Sequence, residues 1–291
     1  MTGGWEGDAN RSTPGSEPAQ PDAILSVDEV ARRAETLTRT GVPTERLAEL
    51  SGDTPLLEVE SLVAGYGRME ILHGLSLRVS AGQSLCLIGP NGAGKSTVLH
   101  SIYGFTDIRS GRIRIAGRDV TRLGASAKLR QAGIAYVLQD NSVFPDMTVE
   151  ENLWLGGYLM SRTEDSKEAA ERVFERYERL RARRGRPARV LSGGERRLLE
   201  IARALIMDPQ VLLIDEPSIG LEPRYIEMVF EILGDLQRGA GKTIIMVEQN
   251  AKKGLDFADI GYVLVDGHLA MAGSGDELLR DPEVGKLFLG G

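Results

Sequence analysis

Gly89-Pro90-Asn91-Gly92-Ala93-Gly94-Lys95-Ser96-Thr97 fits the pattern G-x-x-x-x-G-K-[ST] with no position missing. Such a loop works only where a strand ends, a glycine-rich turn follows and a helix begins, so it fixes the local fold as well as the chemistry. The glycines let backbone N–H groups turn inward around phosphate oxygens. Lys95 brings a point charge to the β- and γ-phosphates, and the Ser96 hydroxyl is a ligand for Mg²⁺. The helix N-terminus adds its partial positive charge. The flanks agree: Ser84-Leu85-Cys86-Leu87-Ile88 is a short apolar run of strand type, and Val98-Leu99-His100-Ser101-Ile102 continues as a helix.

Leu57 to Glu60, Leu75 to Val79 and Arg112 to Ile115 alternate with period two, which predicts half-buried antiparallel strands. Ile134 to Leu138, Val211 to Ile214 and Thr243 to Val247 are continuously apolar, as strands of a parallel sheet covered on both faces are. Helical stretches lie between them, and Ile260 to Ala272 reads as a hairpin around Asp266-Gly267. The fold class is therefore α/β, a phosphate-loop core with an antiparallel β subdomain. Residues 150–184 are charged and helical, which predicts a helical subdomain over about 141–190.

The apolar strand Val211 to Ile214 ends in Asp215 and Glu216. Ligands of open α/β sheets bind at the C-terminal strand edge. Asp215 is then placed to hold Mg²⁺, and Glu216 to orient or deprotonate an attacking water. A second anion-binding helix start follows from Ser192, Gly193 and Gly194, which open a helix from Arg196 to Met207. One phosphate loop does not need two such ends, so the second is expected to face the nucleotide of another subunit.

Acidic residues outnumber basic ones, 42 to 35, giving a net charge of −7, which argues against nucleic acid as a partner. The Arg-rich stretch from Arg176 to Arg189 is interleaved with acids and reads as a solvated helix face. The single cysteine, Cys86, lies in an apolar strand and reads as core filler in a reducing compartment. No run of about 18 apolar residues is present, and the N-terminus lacks the pattern of a secretory signal. Residues 1–22 have the composition of a disordered segment. Ser26 and Glu29 form a capping box for a short helix with a narrow apolar face, one that either docks weakly or stays solvated. Gly41 to Pro55 reads as a linker, so that residues 1–55 form an extension and the folded domain spans 56–291.

Taken with the phosphate loop and the paired acids, Leu191-Ser192-Gly193-Gly194-Glu195 resembles the signature sequence of the nucleotide-binding subunits of ABC transporters. The resemblance implies an ATPase using ATP and Mg²⁺ in a head-to-tail dimer, each ATP lying between the Lys95 loop of one subunit and the Ser192 signature of the other. It implies that Tyr66 stacks on adenine, that Gln139 contacts Mg²⁺, and that Glu222 stands where the family usually has Asp. Gln249 occupies the place of the usual γ-phosphate histidine. A neutral amide donates a hydrogen bond there but cannot pass a proton.

Val247-Glu248-Gln249-Asn250-Ala251, the segment Val143 to Leu153, Ser218 to Leu221 and the terminal Phe288 to Gly291 are similar to one branch, the LivF-type subunits of branched-chain amino acid and related urea or amide importers. Gln139 departs from LivF members that carry Glu. The resemblance implies an integral-membrane permease gripped near Phe144 to Leu155, a homologous ATPase partner or a second copy, an extracytoplasmic solute-binding protein, and a place on the cytoplasmic face of the membrane. Two other readings, an ABC ATPase acting on ribosomes or DNA and a regulatory ATP-binding module, are disfavoured. The chain has neither a second cassette nor a long coiled coil, and Glu216 is present.

Overall fold

The computed structural model describes residues 41–139 and 142–288. The capping box at Ser26, the disordered reading of 1–22 and the terminal Leu289 to Gly291 lie outside the described residues.

Two sheets carry the fold. The first is a four-stranded antiparallel sheet of β1 (Leu57–Tyr66), β2 (Met69–Val79), β4 (Asp107–Ile115) and β5 (Arg118–Asp119), in the order β2-β1-β4-β5. The second has six strands in the order β10-β9-β3-β8-β7-β6: β3 (Ser84–Ile88), β6 (Ile134–Val137), β7 (Val211–Asp215), β8 (Thr243–Val247), β9 (Ile260–Val265) and β10 (His268–Ser274). Its pairings are parallel except for the β9–β10 hairpin.

Alternation along the parallel strands divides the core. Leu85, Leu87, Leu213, Ile245 and Val247 face the antiparallel sheet together with Val98, Leu99 and Ile102 of α2 (Lys95–Tyr103). Cys86, Ile88, Leu212, Ile214, Ile244 and Met246 face Val229, Phe230 and Leu233 of α8 (Pro223–Gly234) and Leu255 of α9 (Ala251–Phe257). Both faces being covered explains why these strands read as unbroken apolar runs. Cys86 is buried, as a core filler would be, and burial pushes its thiol far above the usual range.

A third cluster unites α4 (Val149–Gly156), α5 (Thr163–Arg176) and α6 (Glu178–Arg181) through Leu153, Ala170, Phe174 and Leu180. It continues into α7 (Gly193–Leu205) through Leu198, Leu199 and Ala202, so the helical lobe has no clean edge at residue 190.

The linker reading of Gly41 to Pro55 is corrected. Thr44–Ser51 is a helix, α1, entered from Pro43. Leu47, 2% exposed, is buried in the same cluster as Leu57 and Leu77, with Leu50 packed against that cluster. Gln83 Nε2 donates to Leu50 O at 3.0 Å, and the Ser80 hydroxyl donates to Ser51 O. The folded part thus starts before Leu56. A helix of about two turns with leucines three apart leaves little periodicity to read, and burial of Leu47, contributing about 2 kcal/mol, comes from tertiary packing.

Candidate functional site

The phosphate loop runs from the end of β3 into the first turn of α2. Gly89 has φ 143° and approaches the β9 backbone so closely that a Cβ would stand 2.1 Å from Leu264 O. Gly94 has φ 93°, and a Cβ there would press on Leu72 and Ile71 at 3.1 and 3.2 Å. Gly92, at φ 83°, faces open space, and Asn91 is exposed beside it. Ala93 N donates to Pro90 O at 3.2 Å, and Ala93 O accepts from Gly267 N at 3.0 Å, which ties the loop to the β9–β10 turn. Thr97 is buried beneath the loop.

Lys95 Nζ donates to Gly89 O at 2.9 Å and Pro90 O at 3.0 Å. Two of its three donors therefore brace the loop, and the third remains for an anion. Burial lowers its pKa, opposed by the charges of Glu216 and Asp215.

Asp215, at the end of β7, is 3% exposed. Its Oδ1 accepts from Ser96 Oγ at 3.1 Å and its Oδ2 from the Tyr136 hydroxyl at 2.9 Å. Ser96 and Asp215 thus present two hard oxygens side by side, a donor set that fits Mg²⁺. Glu216 stands just beyond the strand at φ 45°, a conformation strained for a residue with a side chain. Its N–H still pairs with Val247 O at 2.9 Å, which turns the carboxylate out of the sheet. Gln139 Nε2 donates to Glu216 Oε2 at 2.8 Å. The loop, Asp215, Glu216 and Gln139 are brought together at one sheet edge.

Gln249 is exposed in the loop after β8, and its amide makes no hydrogen bond among the described residues. The loop is anchored from below by buried Glu248, which accepts from Ser218 Oγ at 2.6 Å and Asn250 N at 2.9 Å. Tyr66 closes the β1–β2 turn and is 41% exposed. Glu222 caps α8 by position only, paired at the surface with Arg224 at 3.0 Å.

Ser192 caps α7 with a complete capping box: Glu195 N donates to Ser192 Oγ at 3.3 Å, and Ser192 N donates to Glu195 Oε2 at 2.9 Å. Gly194 lies under the Tyr225 ring, where a Cβ would meet it at 2.2 Å. These bonds stay within the cap, and none reaches the phosphate loop of the same chain. Beside the cap lies a cleft of about 370 Å³ lined by Gln139, Gly193, Arg197, Glu200 and Leu221.

Two residues that the sequence reading passed over build this site. Arg197, buried, donates from Nη2 to Asp215 O at 3.0 Å and from Nη1 to Leu138 O at 2.8 Å, joining the ends of β6 and β7 to α7. Its charge is balanced by buried Glu200 at 2.8 Å. Tyr136 fixes Asp215, and burial, with the Asp215 charge next, pushes its hydroxyl far above the usual range. A tyrosine inside an otherwise aliphatic strand was the available signal, since a buried hydroxyl needs a partner.

The sequence family described as ABC transporter matches residues 72–219. The high-affinity branched-chain amino acid transport ATP-binding protein BraG of Pseudomonas aeruginosa is 41% identical over 236 residues, 81% of this chain and 100% of that protein. The probable branched-chain amino acid transport ATP-binding protein LivF of Archaeoglobus fulgidus is 36% identical over 81% of this chain and 99% of its own length. Among solved structures, a nucleotide-free ATP-binding cassette from an ABC transporter superposes with a TM-score of 0.72 at 30% identity, covering 81% of this chain and 100% of that one. The chain is an ATP-binding protein, and an ATPase, of the ABC transporter family.

Proposed function

We propose that this chain drives the import of branched-chain amino acids, or of related small polar solutes, through a separate integral-membrane permease. The observation that carries the reading is the 41% identity to BraG along the whole of that protein. Among the described residues no helix is long and apolar enough to cross a membrane. A cleft of about 480 Å³ lined by Met147, Trp154, Leu155, Tyr158 and Met160 is suited to an apolar permease segment. Tyr158 at its rim is 82% exposed, and Phe144 nearby is 50% exposed.

In this reading the backbone N–H groups of Gly89 to Thr97 and the Lys95 ammonium hold the phosphates, and Tyr66 stacks on the base. Ser96, Asp215 and Gln139 are the residues that would hold Mg²⁺, which when bound neutralises phosphate charge. Glu216 takes a proton from the attacking water, and Gln139 aims its carboxylate through the hydrogen bond at 2.8 Å. Gln249 donates a hydrogen bond to the terminal phosphate and moves no proton. The Ser192 cap, with Gly193 and Gly194, closes on the nucleotide of a partner protomer, either a homologous ATPase subunit or a second copy. Solute arrives by an extracytoplasmic binding protein, and the ATPase sits on the cytoplasmic face.

The test is co-expression with a permease and a solute-binding protein of the branched-chain amino acid type, followed by uptake into proteoliposomes loaded with MgATP. Labelled leucine should accumulate, and Lys95→Ala should stop it. Accumulation of urea or a short amide in place of leucine moves the solute assignment. ATP hydrolysis that no permease stimulates overturns the transport reading.

A further inference from the structure

The two ends of a nucleotide, base and phosphates, meet this protein at two separate elements, the β1–β2 turn and α2. One side chain joins them. His100 lies in the C-terminal half of α2, and its Nδ1 is hydrogen-bonded to the Tyr66 hydroxyl. The two rings meet edge-on with centroids 6.1 Å apart. Two more rings hold the imidazole in place, Phe105 at 5.8 Å and Tyr136 at 5.7 Å, both edge-on. Burial lowers the pKa of His100 against the opposing charge of Asp215, which favours the neutral ring that partners a hydroxyl.

The turn that bears Tyr66 is already fastened by its backbone. Gly67 N donates to Asp107 Oδ2 at 2.9 Å, and Arg109 Nη2 donates to Gly67 O at 3.0 Å. Those bonds fix where the turn sits but leave the ring of a half-exposed tyrosine free to rotate. The bond to His100 removes that freedom before any nucleotide arrives. Lys95 and His100 are five positions apart on one helix, about 7.5 Å along its axis. A single rigid element thereby sets both the phosphate end and the ring orientation.

We infer that His100 is a positioning residue that presets the Tyr66 ring for the nucleobase. The inference rests on the reading of Tyr66 as the base-stacking side chain. His100 touches no part of the nucleotide; it lowers the ordering cost of binding.

The experiment uses the full-length chain, titrated with mant-ATP and, by displacement, with inorganic tripolyphosphate, which has no base. His100→Phe keeps the ring contacts and deletes Nδ1, and Tyr66→Phe keeps the stacking face and deletes the hydroxyl. Each should weaken mant-ATP by about two- to tenfold, the reach of one hydrogen bond, and the double variant should be no weaker than either single one. His100→Asn, whose amide reaches the place of Nδ1, should restore affinity. Tripolyphosphate affinity should stay the same throughout, which a general loosening of α2 would not allow. Equal mant-ATP affinity in wild type and both phenylalanine variants overturns the inference. So do additive effects in the double variant, a parallel loss of tripolyphosphate, or a His100→Asn protein as weak as His100→Phe. Tyr66→Ala separates the two levels: if it binds mant-ATP like wild type, the stacking reading fails. If it weakens binding while His100→Phe does not, only the role of His100 fails.

Discussion

Helices α2 and α7 both begin where an anion can bind, yet they begin in opposite ways. Gly94 at the start of α2 offers its N–H groups no side chain. Ser192 at the start of α7 returns a bond to Glu195 and receives one, so the box is closed. A helix start with orphan donors at a functional edge is a demand for a ligand, whereas a sealed one is stable alone. Glu195 also places a carboxylate in the first turn of α7, paired with Arg183 at 3.6 Å. On the proposed reading, the first helix takes phosphate from solution and the second meets phosphate only when a partner presents it.

The widest gap between the two should come from Lys95→Ala. Removing the ammonium from the open helix start should lower hydrolysis by about a thousandfold, measured as phosphate release. A rate within about tenfold of wild type breaks the assignment of α2 as the phosphate end. Glu216→Gln should act next, lowering turnover by about a hundredfold through loss of the base while nucleotide still binds. With MgATP and its partner subunit this variant should elute as a closed dimer on gel filtration. A protein that stays monomeric there argues against nucleotide-driven closure.

Ser192→Ala sharpens the contrast from the other side. Loss of the cap should cost about 1 kcal/mol of stability, read by urea denaturation. Hydrolysis by the assembled dimer should fall by about tenfold, in line with one lost hydrogen bond at the phosphates. Lys95→Ala, but not Ser192→Ala, should weaken nucleotide binding to the lone chain. An equal loss in both variants would place both helix starts around one nucleotide within a single protomer.

Legibility in the sequence followed the same division. The phosphate loop, the strand into Asp215 and the cap at Ser192 are local patterns, each needing only its own few residues, and the structure has a strand, turn or helix where each requires one. Contacts between distant segments left no local trace. Arg197 looked like any residue of an amphipathic helix, yet it closes the ends of β6 and β7. Helix α1 is specified by the sheet beneath Leu47 more than by its own eight residues. His100 was read only as part of a helix, because its partner lies 34 positions away.

The smallest expected effect concerns how the two helices end. Lys128 is fully buried, and its Nζ donates to Ser101 O at 3.1 Å, placing a cation on the last turn of α2. In α7 the corresponding cation is Arg203, which donates to Ser142 O and keeps its charge at any working pH. Burial lowers the Lys128 pKa from 10.5 to about 8. Below about pH 8 both folded and unfolded chains carry the proton, and the cost of burying the charge is constant. Between about 8 and 10.5 the unfolded chain holds the proton and the folded one does not, so stability rises with pH. From pH 8 to 9 the gain should be about 1 kcal/mol, measured by urea denaturation. Lys128→Met should remove that rise and raise stability at pH 7, because its side chain fills the site with no charge to desolvate. Arg203→Met should leave the rise in place. An unchanged pH slope in Lys128→Met would mean that the lysine is not the titrating group and that the two helix ends do not differ in this respect.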